Sequence, residues 1–132
     1  MYSTDPIADM LTRIRNALMK NQPRAVIPYS QIKEKIAQIL VKHQFVAGLK
    51  INGQLKDKVI TITLINDKLP INPINEIKRL SKPSRRYYVD CQNIPTIRNG
   101  RGIVIISTDK GLMTGRQARR SKLGGEVICS IY

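Results

Sequence analysis

The chain has 132 residues, 23 of them Lys or Arg and 9 Asp or Glu, giving a formal net charge of +14 and a pI of about 10.3. That length holds one domain or two very small ones, and a hydrophobic fraction of 42% supplies a core, which excludes a wholly disordered basic tail. Such an excess repels itself in a compact state and is relieved by a polyanion: nucleic acid first, an anionic membrane surface second.

Asp5-Pro6 predicts a helix start, an N-cap acceptor followed by proline at the first helical position. Ile7, Met10, Leu11, Ile14 and Leu18 continue it at helical spacing, with Arg13, Asn16 and Lys20 off the stripe. Residues 24–28 read as a short extended piece. Ser30 caps a second predicted helix with Ile32, Ile36, Ile39 and Leu40 on one face and Lys33 and Lys35 outside it. Residues 45–51 read as a strand and Asn52-Gly53 as a turn. Ile60, Ile62 and Leu64 then alternate with Thr61 and Thr63, the pattern of a half-buried strand. The first half is therefore α-β-α-β-β.

Residues 66–73 carry two prolines and are the expected linker between an amino-terminal domain (1–65) and a carboxyl-terminal domain (74–132). Residues 74–81 fit helix or strand by periodicity. Strand is favoured, because Lys82-Pro83-Ser84 ends them and Tyr87-Tyr88-Val89 follows. Pro95 and Gly100-Arg101-Gly102 mark loops. Residues 103–106 are a continuous apolar run, as in a central strand. Thr114 and Gln117 fit a capping box opening a short helix through Arg120, which Gly124-Gly125 ends before a last strand over 126–131. The expected fold class is α+β with two small subdomains, the second mostly β with one short helix.

Ser107-Thr108-Asp109-Lys110 matches the S-x-x-K nucleophile pattern, but its S-D-N and K-T-G companions are absent and the chain is too short for that fold. No phosphate-binding glycine loop or metalloprotease motif occurs, so no enzyme is expected. Cys91 and Cys129 lack CxxC spacing and His43 is the only histidine, so no metal site or cofactor is expected and the thiols read as reduced. No stretch approaches the roughly 20 apolar residues of a membrane span. The first residues, Met1-Tyr2-Ser3-Thr4-Asp5-Pro6, show no basic segment followed by an apolar run, so no secretory signal is expected.

The same segment suits an RNA surface. Ser107 and Thr108 stand where a buried strand leaves the core, and their hydroxyls donate to or accept from bases, riboses and phosphates. Lys110 adds charge and Gly111 lets backbone come close. The amides of the helix opening at Thr114 could face an anion, while Arg116, Arg119 and Arg120 share one side, with Lys122 beyond. The competing reading is a solvated basic face. A second cluster, Lys78, Arg79, Lys82, Arg85, Arg86, Tyr87 and Tyr88, joins phosphate contact to base stacking. Strand alternation sends one tyrosine inward and one outward. Charge alone does not choose a half: residues 1–65 hold 10 basic and 4 acidic side chains, residues 66–132 hold 13 and 5.

Two long stretches carry a resemblance. Thr4-Asp5-Pro6-Ile7-Ala8-Asp9-Met10-Leu11-Thr12-Arg13-Ile14-Arg15-Asn16-Ala17 and the segment from Ile106-Ser107-Thr108 to Gly124-Gly125-Glu126-Val127-Ile128-Cys129 resemble the two signatures of the bacterial-type small-subunit ribosomal protein number eight family, in the same order. The resemblance implies two small α+β domains and direct binding to the central domain of small-subunit rRNA, helping to organise the platform. It implies neighbouring small-subunit proteins as partners and, in some members, repression of the chain's own operon mRNA. No membrane or small-molecule substrate is implied, and the location is the ribosome, cytoplasmic or organellar. RNA contacts carried over by motif are Ser107 and Thr108, with Lys110, Gly111, Gly124, Gly125 and Glu126 alongside, Tyr88 after the Lys82-Pro83 turn, and Thr4-Asp5. Lys82, Arg86, Thr114, Arg116, Arg119 and Lys122 join them as basic or capping neighbours. Three positions depart from the family. Asp109 replaces a serine, where it can accept from a base amine or pair with Lys110. Ser84 replaces a glycine, which strains any turn needing positive φ there. Tyr132 replaces a frequent tryptophan. For Glu126 two roles stand side by side, acceptor of base amino groups or structural carboxylate beside Gly124-Gly125.

Overall fold

Ile7, Met10, Leu11, Ile14 and Ala17 recur at spacings of three and four, and α1 (Pro6–Met19) buries all five. The computed structural model containing it describes residues 5–132, so the expected contact at Thr4 lies outside the described residues. The chain forms two compact units, each mixed α and β. One is Ile7–Pro73; the other joins Asp5 and Pro6 to Ile74–Tyr132.

In the first unit α1 is followed by β1 (Arg24–Pro28), α2 (Gln31–Lys42), β2 (Gly48–Asn52) and β3 (Val59–Thr63). β3 lies between β1 and β2, antiparallel to both, so Ile60 faces Ile27 and Ile51, and Ile62 faces Ala25 and Leu49. Alternation holds along β3: Ile60 and Ile62 are buried while Val59, Thr61 and Thr63 are half-buried.

Two expectations are corrected here. The buried row of α2 keeps the expected Ile36 and Leu40 but has Lys33 and Ala37 in place of Ile32 and Ile39; Ile32 is 37% exposed and Lys33 6%. The aliphatic stem of Lys33 runs along the core while its Nζ donates to the Pro28 carbonyl at 3.1 Å. Burial pushes the ammonium pKa down, partly offset by Asp9. The strand expected over 45–51 begins only at Gly48, because Phe45 and Val46 are buried in the turn that ends α2. There Gln44 sits at φ 63, with its amide on the Val41 carbonyl (3.0 Å) and the Phe45 amide on Leu40 (2.9 Å). This pair of bonds satisfies the last carbonyls of a helix. Asn66 and Asn72 fix the segment read as a linker. Asn66 accepts from the amides of Lys68 and Leu69, and Asn72 donates to the carbonyls of Phe45 and Leu64.

The second unit is a sheet with one helix. Its strands are β4 (Ile77–Arg79), β5 (Tyr88–Val89), β6 (Ile103–Thr108), β7 (Gly111–Thr114) and β8 (Gly125–Ile131), with α3 (Gly115–Arg120) between the last two. β8 pairs with β6 on one side and with β4 and β5 on the other; β7 pairs with the free side of β6. Ile94, Val104, Ile106, Ala118 and Val127 form a core between the helix and the sheet. β7 has no counterpart in the sequence pattern: four residues between a turn and a helix cap are too few to show a period. No described helix is long and apolar enough to cross a membrane.

Candidate nucleic-acid interface

The register of β8 builds the site. On its β5 side Glu126 lies opposite Tyr88, and on its β6 side opposite Ser107, which in turn lies opposite Leu112 of β7. Directly opposed residues share a sheet face. Tyr88, Glu126 and Ser107 therefore stand in one transverse row, on the face away from the Ile106–Val127 core. A β-bulge sets this up: Ile105 pairs with Cys129 but Ile106 with Val127, leaving Ile128 as the extra residue. Without it Val127 would oppose Ser107, and Glu126 would leave the row.

The segment from Ser107 to Gly111 is the end of a β-hairpin. Thr108 pairs with Gly111 across the turn residues Asp109 and Lys110, and Gly111 takes φ +108, where an added Cβ would meet nothing but the backbone would be strained. The two hydroxyls differ. Thr108 Oγ1 donates to the Gly111 carbonyl (2.9 Å) and accepts the Lys110 amide (3.1 Å), so it closes the turn. Ser107 Oγ makes no hydrogen bond among the described residues and is half-buried, open to a ligand. Asp109 and Lys110 are exposed, and among the described residues they form no ion pair with each other.

The glycines have steric reasons. A Cβ on Gly125 would lie 2.0 Å from the Ser107 carbonyl oxygen, and one on Gly124 2.5 Å from that of Val89. They let β8 pass close to its neighbours just before Glu126. At α3, Thr114 accepts the Gln117 amide and Gln117 reaches back to Thr114, the expected capping box. That box takes up the Thr114 and Gln117 amides at the helix start. The three arginines of α3 also diverge in role. Arg119 donates to the Ile94 carbonyl (2.9 Å) and Thr96 Oγ1 (3.4 Å), whereas Arg116 and Arg120 are exposed. Lys122 follows at φ 59, its amide on the Arg119 carbonyl and the Leu123 amide on that of Ala118.

The second cluster divides as well. Arg79 is withdrawn: it pairs with Asp5 (3.0 Å) and donates to the Ile128 carbonyl (2.7 Å), with its side chain only 8% exposed. Asp5 is thereby committed to Arg79. Lys82, Arg85, Arg86, Tyr87 and Tyr88 line an open groove of about 480 Å³ floored by Leu80. The turn closes by mutual backbone bonds between Lys82 and Arg85, and Ser84 is not among the residues at positive φ, so replacing glycine there causes no strain. Both tyrosines are exposed, Tyr87 at 38% and Tyr88 at 68%, because β5 is only two residues long and has too little ladder to impose alternation. The charge row thus gains two rings where one was expected.

One side chain bonded to Glu126 escapes sequence reading. Ser81 is fully buried and donates to Glu126 Oε2, which also accepts from Arg86 Nη1 at 2.9 Å. Among the described residues no group of three or more His, Cys, Asp or Glu could hold a metal. Cys129 is buried and its thiol pKa is pushed up to about 12 by desolvation; it and Cys91 are free.

Comparison with known proteins agrees with the sequence signatures. The sequence pattern of the family Ribosomal protein S8 matches residues 5–132. The chain is 46% identical to the small ribosomal subunit protein uS8 of Dictyoglomus thermophilum, 45% to that of Geobacter sulfurreducens and 45% to that of Vesicomyosocius okutanii, covering 100% of both sequences in each pairing. The chain belongs to the ribosomal protein S8 family.

Proposed function

We propose that this protein is a non-catalytic RNA-binding constituent of the small ribosomal subunit, and that it binds the central domain of small-subunit rRNA directly through the sheet face of its second unit. The observation that carries this reading is the Tyr88–Glu126–Ser107 row, bordered by the Lys82–Arg86 groove on one side and the Lys110 hairpin on the other. An exposed ring stacks on a base, a free hydroxyl meets a ribose or base edge, and flanking cations hold the backbone.

Asp5, Thr108, Asp109, Gly111, Thr114, Gly124 and Gly125 shape or flank this face, and the contact carried over to Thr4 lies outside the described residues. Arg116, Arg119 and Lys122 extend its positive border, with Arg119 also tying α3 to the Ile94 segment. The proposed partners are rRNA, adjoining small-subunit proteins, and an operon mRNA hairpin that presents the same RNA shape. The proposed location is the ribosome, in the cytoplasm or an organelle. Gradient sedimentation of a cell extract tests the assignment: the protein should run with small subunits, and a wholly free pool contradicts it. Competition settles the ligand. A structured central-domain RNA should displace duplex DNA from the purified protein, and equal binding of the two would favour a DNA-binding function.

A further inference from the structure

Ser81 is the most buried polar side chain among the described residues, at 0% exposure. Its Oγ accepts the Tyr87 amide at 3.1 Å and gives its own proton to Glu126 Oε2. Arg86 Nη1 donates to the same oxygen at 2.9 Å. Oε2 therefore holds two donors, while Oε1 has none among the described residues, and the Glu126 side chain is 17% exposed. Arg86 also lines the neighbouring groove together with Lys82 and Arg85, and a carboxylate held by Arg86 alone would move with that exposed side chain. The buried hydroxyl prevents that. Its proton direction is fixed, because the Tyr87 amide occupies its acceptor side.

We propose that Ser81 is a positioning residue for RNA recognition, clamping Oε2 of Glu126 so that Oε1 is held as a fixed acceptor in the row between Tyr88 and Ser107. This rests on the sheet-face reading above and names its selectivity. A phosphate diester carries no proton to give, so a fixed carboxylate repels it. An exocyclic amine or a 2′-hydroxyl does carry one, and the donor's hydrogen bond to a charged acceptor is of the stronger kind. The clamp thus makes one point of a strongly basic surface accept only bases or riboses.

The test is a double-mutant cycle on the full chain with Ser81→Ala, Glu126→Gln and the pair. Two probes are titrated: a transcribed rRNA central domain and a uniformly paired RNA duplex of equal length. Each single change should weaken central-domain binding about tenfold; Ser81→Ala should leave duplex affinity and its salt slope unchanged, and Glu126→Gln, which removes a repelling charge, should leave duplex affinity no lower than wild type. The pair should lose no more than Glu126→Gln alone, because Ser81 acts through that carboxylate. Additive losses, equal losses on both probes, or full affinity in Ser81→Ala would each overturn the proposal. If Ser81→Ala loses its circular dichroism, Ser81→Cys keeps the volume without a strong donor and carries the same expectations. Wild-type protein that binds both probes equally would instead defeat the sheet-face reading itself.

Discussion

Ser107 and Thr108 are neighbours with different duties. Thr108 closes the hairpin with both faces of its hydroxyl, so Thr108→Ala should lower stability by about 1 kcal/mol in chemical denaturation. Ser107→Ala should leave the denaturation midpoint in place and weaken central-domain RNA binding about tenfold. The reverse pattern would exchange their roles. The pair of hydroxyls is legible in the sequence, but which one is free is not, because that depends on the turn between Thr108 and Gly111. Lys33 shows the same limit. Helical spacing marks it as polar and outside the apolar row, yet its stem packs inward and its head finds the Pro28 carbonyl. Its folded pKa lies below 10.5, so in the window beneath that value the unfolded chain holds more protons and stability rises with pH. Wild type should gain stability relative to Lys33→Met as pH climbs toward 10.5; parallel curves would remove the buried ammonium from the account.

All three α-helices end in the same way, on a residue in the left-handed region that is not glycine: Asn21 at φ 55, Gln44 at φ 63 and Lys122 at φ 59. Each is followed by an amide that returns to the carbonyl five residues back: Gln22 to Ala17, Phe45 to Leu40 and Leu123 to Ala118. Glycine takes that conformation without the steric cost, so Gln44→Gly should stabilise the fold by about 0.5–1 kcal/mol, seen as a raised denaturation midpoint. Helix starts are readable from Asp5-Pro6, Ser30 and Thr114, and the end of α3 at Arg120 from the Gly124-Gly125 that follows; the left-handed residue that closes each helix is not, since none of the three is glycine. Strand β8 carries a second hidden feature. Five consecutive buried residues from Val127 to Ile131 give no alternation from which a bulge at Ile128 could be inferred, and the bulge alone aims Glu126. Gly125→Ala tests that geometry. Its Cβ would strike the Ser107 carbonyl, so the variant should lose about 1–3 kcal/mol and also lose RNA affinity.

Across the two units the order of elements follows the sequence closely, because amphipathic spacing and cap residues are local signals. The α-β-α-β-β run and the β-rich second half with its single α-helix are both present. What sequence distance conceals is the transverse row. Tyr88, Ser107 and Glu126 come from three strands and meet only through pairing register. Charge cannot locate them either, since basic residues are spread over both halves. That spread has a consequence of its own. Non-specific affinity for any RNA should fall steeply with salt, while discrimination between the central domain and a plain duplex should survive, because the row's contacts to rings and hydroxyls release few counterions.

Replacing the row itself is therefore the sharpest experiment. A Tyr88→Ala, Ser107→Ala, Glu126→Gln variant, shown by circular dichroism to be folded, should bind the rRNA central domain no better than a uniform RNA duplex at physiological salt, with its duplex affinity no lower than wild type. If the folded variant still prefers the central domain by the wild-type margin, RNA recognition lies elsewhere on the molecule.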